Sequence, residues 1–270
     1  MNWFEKIIDF LSYQLPSSPL PYGRFHLLFL GLTFISCFLI ALKLRHSNDK
    51  QDRFILLTLS VLMLSFEVYK QLVFTIEKDV WDYQWYVFPF QFCSVPMYVA
   101  FITAFLKPGK MKNACYNFLG TFCLFAGLAA MFYPKDVFIR ILGIDIQTMV
   151  HHSSMILIGF YCLISGRTVL QQKSIIGSPL IFFVLFIMAL LMNLLGKNIG
   201  EVFNMFFISP YYACHLPVLS QIQNQFGYYV FLLAYLFGFI LLAYLILLTA
   251  IAIKKWHKQT KKLPKSFKAN

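Results

Sequence analysis

Seven long apolar runs separated by short polar turns make up most of the chain, at 25–43, 54–74, 86–106, 114–133, 148–165, 179–195 and 226–253. Each approaches the roughly 20 apolar residues that an α-helix needs to cross a bilayer core. Ahead of them, Trp3, Phe4, Ile7, Ile8 and Leu11 recur at helical spacing on one face, with Glu5, Lys6 and Asp9 away from it. That pattern predicts an amphipathic helix lying in a membrane interface, broken by the Ser-Ser-Pro-Leu-Pro-Tyr-Gly stretch at 17–23. Residues 196–225 join the sixth and seventh runs and are too apolar for a free loop, so a short helix or re-entrant piece packed on the bundle is expected there. The pattern as a whole predicts an all-α polytopic membrane protein. It has a seven-helix transmembrane bundle over 23–253, an interfacial N-terminal helix and linker over 1–22, and a basic tail over 254–270.

Charge orients this bundle. Lys43, Arg45, Lys50 and Arg53 follow the first run, Lys107, Lys110 and Lys112 the third, and Arg167 and Lys173 the fifth; the basic tail follows the seventh. The opposite side carries Lys6, Arg24, Lys78, Lys135, Arg140 and Lys197. The positive-inside rule then puts the N-terminus outside and the C-terminus in the cytoplasm. Trp81, Tyr83, Trp85 and Tyr86 mark the outer interface and Trp256 the inner one.

Composition agrees. The 270 residues are 59% hydrophobic and 13% charged, where soluble domains carry about 25% charged residues. The net charge of +12 sits in loops and tail, which argues for anionic inner-leaflet lipids as partners rather than nucleic acid. No cleavable signal peptide pattern precedes the first run. The six cysteines (37, 93, 115, 123, 162 and 214) show neither CxxC nor zinc spacing, so neither a disulfide framework nor a metal or other cofactor is expected. No internal repeat points to a transporter of inverted halves.

Polar groups gather at one depth. Counted from the outer edge, Cys93 lies in the third run and the His151-His152 pair opens the fifth. Glu67 and Lys70 sit near the outer end of the second, His26 opens the first, and Asn193, Lys197 and Asn198 close the sixth. The inner halves of the same runs carry almost none. Each residue has a plainer explanation: a transmembrane cysteine is usually a small hydrophobe, a histidine pair can simply be interfacial, and Glu67 with Lys70 can be a structural ion pair. Coincidence in depth favours a shared site, because ionisable groups in a membrane usually face a cavity and serve function. A thiol attacks as thiolate and needs a base, which a neighbouring imidazole supplies. Pro89 and Pro96 flank Cys93, and in a continuous helix they would free backbone groups beside it. A Cys–His pair at headgroup level suits acyl transfer on lipid esters through a thioester.

The order FPFQFCS at 88–94 followed by HHSSMILIGFY at 151–161 resembles the YwaF-type integral membrane proteins, whose vertebrate relative is transmembrane protein 164, an acyltransferase of ether phospholipids. The resemblance covers about residues 20–250. It implies Cys93 as nucleophile and His152 as base, with Tyr161 then matching a tyrosine nine residues on. It also implies Asn198 for the family's asparagine and His26 for a GxxH-like position at 23–26. Gln91 stands where many members carry histidine, Ser94 where the vertebrate form carries another, and Ile199 replaces the tyrosine after the asparagine. A more distant similarity is to the androgen-induced membrane hydrolases, where threonine and histidine cleave lipid esters.

The leading expectation is a membrane phospholipid acyltransferase of the bacterial cytoplasmic membrane. Cys93 and His152 are its catalytic residues, with His26, Glu67, Lys70, Gln91, His151 and Asn198 around the substrate. The alternatives are a lipid-ester hydrolase with the same pair, a transporter or channel using Glu67, Lys70 and His152, and a metal-dependent hydrolase. The last is disfavoured because adjacent histidines on a helix point about 100° apart.

Overall fold

The computed structural model describes residues 3–77, 80–134, 137–171, 176–199 and 202–262. Lys78, Lys135, Lys173 and the tail over 263–270 lie outside the described residues.

The short helix α1 (Trp3–Leu11) forms as the apolar spacing predicts, with Trp3 and Phe10 exposed. After a turn at Ser12, residues 13–15 pair antiparallel with 140–142 through Leu15 N to Arg140 O and Leu142 N to Tyr13 O. Helix α2 (Arg24–Leu44) follows. Helix α3 (Asp49–Thr75) starts at a capping box: Asn48 Oδ1 accepts from the Gln51 amide, and Gln51 Oε1 accepts from the Asn48 amide. This satisfies two of the donors that a helix N-terminus leaves open. A two-residue hairpin, β1 (Ile76–Glu77) against β2 (Val80–Trp81), turns the chain back.

The third apolar run is not one helix. It has a single 3-10 turn at Trp85–Val87 and one α-helix, α4 (Val95–Phe105), while 88–94 are irregular. Eleven residues span about 16 Å, roughly half a bilayer core. Pro89 holds Phe88 extended (φ −47°, ψ 134°). Pro96 falls in the first turn of α4, where its missing N–H costs nothing. The prolines therefore start a helix rather than kink one.

Helices α5 (Lys110–Phe118) and α6 (Leu124–Phe132) form one rod through a π-helical segment at Leu119–Cys123. Helix α7 (Leu142–Ile164) begins six residues before the expected run and packs against α2, α3 and α6. Gly127 and Gly159 permit the α6–α7 contact: a Cβ at 159 would lie 2.6 Å from Leu124 Cβ, and one at 127 would lie 3.1 Å from the His152 carbonyl. Helix α8 (Gly177–Leu195) matches the sixth run. Helix α9 (Leu219–Lys262) is broken at Gly227 (φ 82°), a conformation that glycine alone tolerates readily, and its far end carries the start of the basic tail.

Among the described residues, five rods are long and apolar enough to cross a membrane: Arg24–Leu44, Asp49–Thr75, Lys110–Phe132, Gly177–Asn198 and Leu219–Thr260. The chain is an all-helical integral membrane protein. Helices α2, α8 and α9 turn Leu32, Ile35, Leu191, Phe237 and Leu241 outward, as lipid contact requires. Helix α7 is different. Asp145, Gln147, Thr148, His151, His152 and Ser154 are buried along it, and a helix that polar can sit at membrane depth only when protein shields it from lipid.

Candidate active site

Residues 88–94 lie outside regular helix, and such a segment is tolerated at membrane depth only where it is buried in protein or lines a water-filled cavity. The connection after α8 provides that cover. Gln91 clamps the two segments together: its Nε2 donates to Asn204 O at 3.0 Å and its Oε1 accepts from Phe206 N at 2.9 Å. Asn193 repeats the arrangement from α8, donating to Met205 O at 2.9 Å and accepting from Met205 N at 2.7 Å. Asn204 Oδ1 takes the Ser209 amide. Phe206 stacks on Phe90 with centroids 5.8 Å apart. The connection expected to hold a short helix or re-entrant piece has a short 3-10 turn at Met205–Phe207 in irregular backbone, with Met205, Phe206 and Ile208 fully enclosed and φ near +58° at Phe206 and Phe207.

Cys93 lies where this segment becomes α4. Gln91 O accepts from the Ser94 and Val95 amides at 2.8 and 3.2 Å, closing the turn that carries the cysteine. Cys93 thus immediately precedes Ser94, the N-cap residue of α4. All six cysteines are free, and Cys93 alone among them is partly exposed; the other five are buried.

The histidine attached to this turn is His151. Its Nε2 lies 3.0 Å from Cys93 O. A carbonyl only accepts, so Nε2 carries the hydrogen and Nδ1 holds a lone pair, buried and without a partner. His152 has the opposite tautomer for the same reason: its Nδ1 lies 2.7 Å from Thr148 O, one turn earlier, which leaves the Nε2 lone pair free. The two rings are 5.6 Å apart, centroid to centroid.

Glu67 and Lys70 complete the cluster. Lys70 Nζ is 2.6 Å from Glu67 Oε1. Gln71 Nε2 donates to the same oxygen at 2.9 Å and to Val87 O at 2.7 Å. Tyr83 Oη donates to Gln71 Oε1 at 2.7 Å and Tyr98 Oη to Pro89 O at 3.0 Å. Lys70 lies within Coulombic reach of Cys93, His151 and His152. The structure therefore gathers Cys93, His151, His152, Glu67 and Lys70 at one end of the bundle, with Gln91 holding the wall. Gln71 and Asn204 were not legible in the sequence, since a glutamine beside a charged pair and an asparagine in an apolar loop have no pattern of their own.

Two expected residues have other surroundings. His26 is fully buried, accepts the Tyr22 amide at Nδ1 (2.9 Å) and donates from Nε2 to Met131 O (2.9 Å). Both nitrogens are occupied in joining the start of α2 to the end of α6, and its ring packs on Phe138. Asn198 is exposed on the short turn Gly196–Asn198, whereas Asn193 before it and Asn204 after it are buried. Among the described residues no three His, Cys, Asp or Glu side chains converge as a metal site would require.

A second polar cluster is buried at the opposite ends of the helices, just beyond the apolar runs. Asp52, fully buried in the first turn of α3, accepts from Tyr161 Oη at 2.7 Å and from Tyr116 Oη, and lies 3.4 Å from Arg167 Nε. Arg167 also bonds Asp49 at 2.7 Å and Ser47 O at 3.0 Å. Asp52 lies just outside an apolar run, so hydropathy gives no sign of its burial. Fifteen residues of α3, about 22 Å, separate it from Glu67. Leu56 and Met63, both fully buried, lie between them. Tyr161 belongs to this second cluster rather than to the histidine pair.

A family model described as the TMEM164 family matches residues 21–249, and the chain belongs to that family. No curated protein and no solved structure matches it.

Proposed function

From membership of this family and the geometry around Cys93, we propose that the protein is a membrane-embedded acyltransferase acting on phospholipid esters of the bacterial cytoplasmic membrane, with its site toward the outer leaflet. The single observation that supports it most is that the one partly exposed cysteine sits at a helix N-terminus on a turn whose carbonyl is held by a buried imidazole.

In this reading the His152 Nε2 lone pair takes the Cys93 proton, its tautomer set by Thr148 O. The thiolate attacks the ester carbonyl of a phospholipid, and the helix terminus stabilises the charge that develops. The tetrahedral intermediate collapses to a thioester, and the lysophospholipid oxygen leaves with the proton from the His152 imidazolium. An acceptor hydroxyl then gives its proton to His152 and attacks the thioester, and Cys93 leaves and is reprotonated. His151 is a positioning residue that fixes the cysteine turn.

The test uses purified full-length protein and a phospholipid carrying an alkyne-tagged acyl chain. The expected result is an acyl label on Cys93 that hydroxylamine releases, lost in Cys93→Ala and converted to a hydroxylamine-stable ester in Cys93→Ser. Full lipid turnover in Cys93→Ala would overturn the proposal.

A further inference from the structure

A groove of about 510 Å³ opens between α2 and α3 where both approach the turn at 45–48. It lies at the Asp52 end of α3, away from the cysteine site. Leu44, Phe54, Ile55, Leu59 and Leu157 form its apolar wall. At its mouth stands Lys43, in the last turn of α2, exposed and with no hydrogen bond or ion pair among the described residues. Three of the neighbouring cations have contacts of their own. Arg53 lies over the Phe105 ring at 4.7 Å, Arg45 Nε donates to His46 Nε2 at 2.9 Å, and Arg167 serves Asp49 and Asp52. The hydroxyl of Ser47 in the groove is 2.6 Å from Tyr161 Oη and so is already satisfied.

An apolar groove between lipid-facing helices is a poor place for water, and a hydrocarbon chain fills it at no polar cost. Among the described residues that line it, Lys43 is the only Lys, Arg, Asp or Glu, so the formal charge at the groove is a cation. We propose that the groove binds one acyl chain of an anionic phospholipid, with the lipid phosphate on Lys43, in the leaflet opposite the cysteine site. The bound lipid is a resident ligand, not a substrate, and its recognition does not depend on Cys93 chemistry.

Native mass spectrometry of the full-length Cys93→Ala protein tests this, since that background removes turnover by the proposed mechanism. The protein is equilibrated in neutral detergent with phosphatidylglycerol and phosphatidylcholine of identical acyl chains at equal concentration. Phosphatidylglycerol is expected to be retained preferentially. Lys43→Gln is expected to lower its retention about fivefold, the scale of one lysine at an anionic lipid surface, and to remove the preference. Thr58→Trp, which fills the groove from an exposed position, is expected to lower retention of both lipids. Equal retention of the two lipids by the parent, or unchanged retention in either variant, overturns the proposal.

Discussion

His151 Nε2 and Cys93 O lie 3.0 Å apart although 58 positions separate the residues in sequence. The bond ties a helix with six buried polar side chains, Asp145, Gln147, Thr148, His151, His152 and Ser154, to the turn that carries Cys93. Orphaning a buried carbonyl costs about 1–3 kcal/mol, so His151→Phe is expected to lower the melting temperature in detergent as well as turnover. His151→Gln, which restores an N–H donor, is expected to recover most of both. His152→Ala behaves differently: acyl-enzyme formation is expected to fall about 10²–10⁴-fold, the range for a general base, while cysteine access to a small alkylating reagent stays unchanged. Parallel thermal melts, alkylation rates and single-turnover labelling separate the two roles. Equal behaviour of the two histidines would remove this assignment.

Gln91 satisfies two backbone groups of the 204–206 loop. Gln91→Leu leaves both unpaired, and at about 1–3 kcal/mol for each the loop is expected to detach before the bundle unfolds. Limited proteolysis should then cut between 202 and 210 in the variant and not in the parent.

Glu67 is buried and holds Lys70 at 2.6 Å. Glu67→Gln leaves an ammonium without its counter-charge, and removing one member of a buried pair costs about 3–5 kcal/mol. Lys70 is 19% exposed, so the lower end of that range applies. The double variant Glu67→Gln/Lys70→Met is expected to melt closer to wild type than Glu67→Gln alone. If both lose acyl transfer equally, the pair serves the chemistry and not only the fold.

Gly159 faces Leu124 across the α6–α7 contact. Gly159→Val forces the helices apart, at about 1–3 kcal/mol for overpacking. The variant is expected to show a lower melting temperature and a higher rate of alkylation at Cys123, which is buried beside the contact. Normal protection of Cys123 would show that the helices repack without separating.

Several features can be read from the chain alone because they depend on local physics. Apolar run length marks the membrane rods, since a bilayer core imposes one length on every helix that crosses it. The pairing of Glu67 with Lys70 follows from i, i+3 spacing, and the apolar stripe of residues 3–11 specifies α1. The clustering of Cys93 with the histidines was also readable in outline, because residues forced to one depth by hydropathy must share a layer. Only the tertiary structure decided which groups within that layer meet. It joined His151 rather than His152 to the Cys93 carbonyl, occupied both nitrogens of His26 elsewhere, and buried Asp52 beneath two tyrosines. It also turned half of an apolar run into a proline-started helix behind irregular backbone. Hydropathy places a residue along the membrane normal; rotation about each helix axis, and the partners a buried polar group finds, come from packing between distant segments, for which the sequence has no period.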